Sequence, residues 1–360
     1  MVGTARELVA ALAAGPREAG TPDAARARAA LIAWLEAAGY EVAVEPFRFT
    51  TAALLAFPIF GAGLGWLALP LLPLLLLPRA PAWAALVIGA GGLAALAALC
   101  AGIGLGWAGA GEEREDANLV ARRPGATVRR WIVAHVDSKA QGHSMAGRLV
   151  AVWVSAVAAA ALLALGAARL HATVSPGWAG AAAAAAATAG VLAGRGRLRG
   201  SSPGARDNAT GLLAALSAAV ASSDPGLGVL LTGAEEFGLV GARIAAERWG
   251  TALRGVEVVN CDTIDDEGWL YLVSHDRPGA ALAERVERQL AALELPIRRR
   301  RLPLGIFVDS HPLARGGARA VTVGRLTWGT LRLLHTPRDT AAALDWSAAE
   351  RIGRALASAD

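Results

Sequence analysis

Cysteine is nearly absent from this chain, with two residues in 360. Cys100 falls in an apolar run and Cys261 in a strand-like segment, which excludes a disulfide framework and any cluster of paired thiolates. Aromatic residues make up only 5%, and none interleaves with the one dense basic run, Arg298 to Arg301. That run therefore reads as a solvated or headgroup-facing edge, and no nucleic-acid partner is expected. An HExxH helix, a phosphate-binding GxxxxGK[ST] loop and a strand-borne GxGxxG are all missing, which disfavours thermolysin-like proteases, nucleotide triphosphatases and dinucleotide-dependent oxidoreductases. Charge is missing in blocks. No charged side chain occurs between Arg48 and Arg79, between Arg79 and Glu112, or between Arg148 and Arg169, and a fourth, Ala-rich run extends from Ser175 to Gly194.

Each block is long enough for a helix crossing a hydrocarbon layer about 30 Å thick. A hydrophobic content of 54% and a mean hydropathy of +0.42 agree with membrane segments. Trp66, Trp83, Trp107, Trp153 and Trp178 lie toward the ends of the runs, as interfacial anchors should. Gly61 with Gly65, and Gly102 with Gly106, have the small-xxx-small spacing that lets helices approach, while Pro58, Pro70 and Pro73 are expected to bend the first span. No run carries a central Asp, Glu, Lys or Arg, which points to an anchor in the lipid bilayer and away from a transporter. The amino-terminal stretch MVGTARELVAALAAGPREAG has no basic-then-apolar leader and starts as a soluble helix. Arg48, Arg114, Arg148, Arg195, Arg197 and Arg199 flank the runs on the polar side, against Arg79 and Arg169 opposite, so the polar part is expected to face the cytoplasm of a cell membrane. The sequence pI of about 10.1 comes almost wholly from arginine, as suits a domain held against an anionic leaflet.

Without the apolar runs, residues 1–50, 112–147 and 196–360 remain, and they form one discontinuous domain because no single piece buries enough surface. Residues 51–111 and 148–195 are two inserted transmembrane hairpins. In the polar pieces a helix over Ala24 to Ala38 leads into the alternating EVAVEPFRF strand. NLVARRP, RRWIVAHVD, GVLLTGA and VEVVNCD read as further strands, separated by helices near Gly211 to Ser222 and Val240 to Trp249. The fold class is α/β, a mixed and mostly parallel sheet flanked by helices, with about four transmembrane helices added. Ligands of such sheets sit beyond the carboxyl ends of the strands, and that is where His135, Asp137, Glu235, Glu236 and Asp262 fall.

Adjacent carboxylates after an apolar strand, Glu235 and Glu236, can divide metal binding and proton transfer between them, because a base cannot also be a ligand. His135-Val136-Asp137 puts an imidazole and a carboxylate on one face of an extended segment, where the acid can orient a metal-binding His. Asp207, in a Gly/Pro/Ser turn opening a helix, is short enough to bridge two cations. With Asp262 and His335 these residues make a carboxylate and imidazole set suited to zinc. Gly142-His143-Ser144-Met145-Ala146 looks like a nucleophile elbow but follows no strand, so it reads as loop.

In this order AHVDS, SPGARDNATG, GAEEFGLVGA, VNCDTID and LLHTPRDT resemble the M28 family of zinc-dependent exopeptidases, across the polar domain. The resemblance implies two zinc ions per chain bridged by Asp207, with His135 and Asp262 completing one site and Glu236 and His335 the other. It further implies Glu235 as general base, Asp137 as partner of His135, and a peptide substrate, most simply cleaved as by an aminopeptidase. A catalytically silent membrane scaffold and a glutaminyl-cyclase-like acyl transferase are the rival expectations. Two departures stand out. A membrane hairpin separates His135 from Asp207, which brings the mouth of the site near the bilayer. In addition, TWGTLRLL offers Trp328 and Thr330 where the family often has a Tyr oxyanion donor. Asp309 and His311 in FVDSHPLARGGARA resemble the family loop before a late strand, as pocket lining or as loop hydrogen-bonders.

Overall fold

The computed structural model describes residues 3–104, 111–303 and 306–358. Helices α1 (Ala5–Leu12) and α2 (Pro22–Ala37) lead into strand β1 (Glu41–Thr50), and α3 (Ala53–Leu76) and α4 (Ala82–Gly104) follow. Next come β2 (Glu113–Arg122), β3 (Arg130–His135), α5 (Met145–Ala168) and α6 (Pro176–Gly194). The remainder alternates: α7 (Thr210–Ala221), β4 (Leu227–Thr232), α8 (Val240–Trp249), β5 (Glu257–Ile264), β6 (Trp269–Ser274), α9 (Arg277–Leu290), β7 (Ile297–Arg301), α10 (Ser310–Arg315), β8 (Arg319–Leu326), α11 (Trp328–Leu333) and α12 (Ser347–Leu356). The chain divides into two compact units, one of residues 1–49, 113–140 and 200–360, the other of 50–112 and 141–199.

Local chemistry sets the ends of the polar unit's first helices. Thr4 and Glu7 form a capping box on α1, and Thr21 caps α2 ahead of Pro22. Gly39, at φ +83°, stops α2 in the left-handed conformation that Gly adopts without cost. The sheet runs β1-β2-β4-β3-β5-β8-β6-β7. Its centre, β4-β3-β5-β8, is parallel, with β2 antiparallel to β4 and β6 antiparallel to β8. Every residue of β3 and β4 is buried, as parallel strands covered on both faces must be.

Alternate residues of β3 serve opposite cores. Ile132 and Ala134 join Leu212, Leu213 and Leu216 of α7 and Ile352 and Leu356 of α12, whereas Trp131 and Val133 join Ala242 and Ala245 of α8 and Leu313 of α10. The β3-to-β4 connection thus carries α7 on one face and the β4-to-β5 connection carries α8 on the other. Because β4 and β5 flank β3, the carboxyl end of β3 is the point where the strand order reverses, the place such sheets leave open for a ligand.

The second unit is α3, α4, α5 and α6, four helices long and apolar enough to cross a membrane. Leu64, Leu71, Ala158, Leu162, Ala182, Ala186 and Ala189 fill its interior, while Trp66, Val87, Trp153, Val157, Trp178 and Val191 lie exposed on its outside. α3 runs unbroken through Pro58, Pro70 and Pro73. Close packing is carried by Gly61 against Gly190: a Cβ on Gly61 would lie 2.3 Å from the Ala193 Cβ, and one on Gly190 would lie 2.6 Å from the Gly61 carbonyl oxygen. The expected partner Gly65 faces open space, and Gly106 and Trp107 fall outside the described residues. Trp83 and Trp178 stand at helix starts, but Trp66 lies near the middle of α3, so it is not an end anchor. Ser144 caps α5, accepting the Gly147 N–H at 3.3 Å, which accounts for the apparent nucleophile elbow.

Candidate metal centre

Five chain segments converge at the carboxyl end of β3. His135 is the last residue of that strand. Its Nε2 lies 3.1 Å from Asp207 Oδ1 and 3.9 Å from Asp262 Oδ1. His335, on the turn after α11, has its Nε2 3.2 Å from Asp207 Oδ2 and 3.2 Å from Glu236 Oε1. The two oxygens of Asp207 therefore face two different imidazoles, and the donors divide into His135, Asp207 and Asp262 on one side and Asp207, Glu236 and His335 on the other.

Backbone conformation places these groups. Ala234 (φ 51°), Thr263 (φ 55°) and His335 (φ 63°) are non-Gly residues in the left-handed region. Thr263 adjoins the candidate ligand Asp262, His335 is itself one, and Ala234 precedes the Glu235-Glu236 pair, in the way strained positions gather at functional sites. Asp207 sits in a kinked turn between Gly204 and α7, and the Asp207–Asn208 peptide is cis. Asn208 ties that turn to β5 by donating to the Cys261 carbonyl at 2.9 Å and accepting the Thr263 N–H at 3.1 Å.

Asp137 is buried beneath the site. Its two oxygens accept the N–H groups of Glu235 and Glu236, each at 3.1 Å. His135 Nδ1 is closest to the Asp137 carbonyl oxygen, at 3.0 Å, with the carboxylate at 3.6 Å. The acid thus serves the glutamate pair more directly than the imidazole. Glu235 belongs to neither donor set and is 8% exposed.

Several groups at the centre carry no mark in the sequence reading. Asp339, fully buried, accepts the Arg206 and Asp207 N–H groups on its two oxygens, at 2.9 and 3.1 Å. Arg17 spends its guanidinium on the carbonyls of Leu12, Val136, Pro203 and Gly204, stitching the end of β3 to the Asp207 turn. Lys139 Nζ lies 2.6 Å from Glu236 Oε2. The only sequence signal for Asp339 was its place in HTPRDT, and for Lys139 its place just after AHVDS.

Thr330 is occupied elsewhere, donating to Asp265 Oδ2 at 2.6 Å, and Trp328 is half exposed. Asp309 is buried and accepts the Thr232 hydroxyl at 2.5 Å, while His311 stacks edge-on with His275 at 5.2 Å between ring centroids. Neither belongs to a donor set.

Charge at this buried centre is unbalanced. Burial pushes Glu235 well above the usual carboxylate range against the opposing pull of His135, and neighbouring Glu236, Asp309 and Asp262 push the same way. Asp262 is raised to about 7 and Asp309 to about 6, in each case by burial first. Burial would raise Asp207 too, but its hydrogen bonds to His135 and His335 outweigh it and hold the carboxyl well below its ordinary value. Burial would lower His135, yet the surrounding acids hold it well above its ordinary value.

These residues fit a pair of divalent cations. Nitrogen and oxygen donors about 2.0–2.1 Å from a tetrahedral ion lie roughly 3.3 Å from one another, close to the separations above. Glu236 Oε1 and His335 Nε2 are buried with no hydrogen-bond partner, a cost that a cation between them removes.

The family model of peptidase family M28 matches residues 184–359. No curated protein matches the sequence. Among solved structures the chain is similar to a leucine aminopeptidase precursor from Bacteroides thetaiotaomicron (12% identity, TM-score 0.58, covering 98% of this chain and 94% of that one). It is also similar to a Zn-dependent exopeptidase from Parabacteroides distasonis (14%, 0.57, 98% and 95%) and to the glutaminyl cyclase of Fimbriiglobus ruber (14%, 0.57, 98% and 92%). At such identities the likeness establishes the fold. The motifs in family order, the match over residues 184–359 and this fold all agree in a likeness to peptidase family M28.

Proposed function

We propose that this chain is a membrane-anchored exopeptidase that uses two zinc ions to remove residues from the amino end of short peptides. The observation that carries the reading is Asp207 turned with one oxygen toward each imidazole, beside an unliganded Glu235. His135, Asp207 and Asp262 would hold one ion and Asp207, Glu236 and His335 the other. Zinc bound there supplies a water of lowered pKa and a Lewis acid for the scissile carbonyl.

The protein's own part is proton handling and placement. Asp137 fixes the backbone of both glutamates, so that Glu236 is presented as a ligand while Glu235 stays free. The Glu235 carboxylate, made a stronger proton acceptor by burial, takes a proton from the attacking water and returns it to the departing amine nitrogen. Local charge favours an amino terminus over a carboxylate. Asp137, Glu235, Asp262 and Asp309 surround the centre, whereas Lys139 is spent on Glu236, Arg206 on Asp265 and Arg17 on backbone carbonyls.

The exposed apolar outer faces of α3 to α6 support anchoring in a bilayer. Arg148, Arg195 and Arg197 lie at one end of that helical unit, where Gly142 donates to the Arg197 carbonyl, against Arg79 and Arg169 at the other. This bias supports a cytoplasmic polar unit. The fold is shared with a glutaminyl cyclase, so cyclisation of amino-terminal glutamine is the second reading, and release of free amino acid separates the two.

The test is peptide hydrolysis by purified protein in detergent, which should be abolished by a chelator and restored by Zn²⁺. Glu235→Gln should lower kcat by roughly 10²–10⁴-fold with zinc content unchanged. Undiminished hydrolysis by that variant removes Glu235 as the base.

A further inference from the structure

Of the 35 basic residues in the chain, only one is a lysine. It is not on the surface: Lys139 is 3% exposed, four residues past His135. Its Nζ contacts Glu236 twice, at 2.6 Å from Oε2 and at 3.1 Å from the carbonyl oxygen. A compact ammonium suits two acceptors of one residue converging on a point, where the planar fork of arginine does not.

The consequence falls on one of the two donor sets. With Oε2 held by Lys139, Glu236 keeps only Oε1 for a cation, the oxygen that lies 3.2 Å from His335 Nε2 and has no hydrogen-bond partner. A fixed positive charge on the same carboxylate reduces what that oxygen offers. The other set is spared. Asp262 accepts the Thr263 hydroxyl at 3.2 Å, and among the described residues no lysine or arginine comes within 4.0 Å of Asp262 or Asp207. Partners of ligating side chains change metal affinity by 10–100-fold, and a full charge in a buried site acts strongly.

We propose that Lys139 makes the two cation positions unequal, weakening the one at Glu236 and His335 relative to the one at His135 and Asp262. The inference rests on the two-metal reading of the site and deepens it. Lys139 acts as a positioning residue, through Glu236.

The experiment uses full-length protein in detergent, stripped with a chelator and titrated with Zn²⁺ against a chromophoric competitor, so that affinity is read without activity. The wild type should take up zinc in two steps at least about tenfold apart, and His335→Ala should remove the weaker one. Lys139→Met, which keeps length and loses charge, should tighten the weaker step by about tenfold and move the tighter step by less than about threefold. Lys139→Arg should leave the weaker step weak, and Lys139→Met in a Glu236→Gln background should tighten nothing. If Lys139→Met does not fold by circular dichroism and gel filtration, Lys139→Gln is read in the same way. Equal steps in the wild type, or a weaker step that the neutral variants leave unchanged or weaken further, overturn the role of Lys139 alone. Protein that takes up no zinc overturns the two-metal reading as well.

Discussion

Asp137 spends its carboxylate oxygens on the N–H groups of Glu235 and Glu236, and leaves His135 Nδ1 nearer to a carbonyl. The HxD pattern foretold an acid near the histidine but not its chief acceptor duty, because the glutamates lie about a hundred residues further along the chain. His275 makes a similar point away from the centre. Its Nε2 meets Ser310 Oγ at 2.7 Å, and burial, helped by His311 and opposed by Asp276, lowers its pKa to about 4. The folded pKa lies below the unfolded value near 6.5, so folded protein binds fewer protons between the two. The stability this neutral imidazole contributes is full above about pH 6.5 and is lost as pH falls toward 4. His275→Asn, which keeps a polar partner for Ser310 without titrating, should flatten that loss. Melting temperatures at pH 7.5 and 5.0 check this, and equal drops in variant and wild type would refute it.

Strands β3, β4 and β5 were legible from their short apolar runs, and α7 and α8 from their periodicity, because those signals are local. The register that sets His135 opposite Thr232 was not, nor was the crossing of α7 by α12. That crossing depends on Gly353, where a Cβ would lie 2.2 Å from the Ala214 carbonyl oxygen. Gly353→Val should push α12 from α7 and lower stability by roughly 1–3 kcal/mol, read as a drop in melting temperature. Since α7 begins directly after the Asp207 turn, zinc affinity should fall too. An unchanged melting temperature would mean that the helices separate freely. The arginine run shows the same division between local and distant signals. It forms the exposed edge strand β7, as a solvated edge should, but Arg298 covers the ring of Trp269 at 3.6 Å and Arg299 pairs with Glu284 and Glu287. Those partners are on other elements and leave no trace in the run itself.

Two helical hairpins interrupt the polar unit, and each unit builds its own interior from segments distant in sequence. If the apolar unit lies in lipid, the protein should sediment with membranes, resist extraction at alkaline pH and dissolve only in detergent; release into an alkaline supernatant would show that its helices are buried in protein. What the sequence determined by itself was whatever depends on neighbours along the chain. Uncharged runs of membrane-spanning length marked the helices, and residue types in a given order carried the resemblance to a family and named the candidate ligands. Only the tertiary structure decided which oxygen of Asp207 faces which imidazole, that Asp339 anchors the Asp207 turn, and that Lys139 pairs with Glu236. Hydrogen bonds and charge pairs act over about 3 Å and depend on direction. They are set by where folded segments meet, and chain order does not encode that separation.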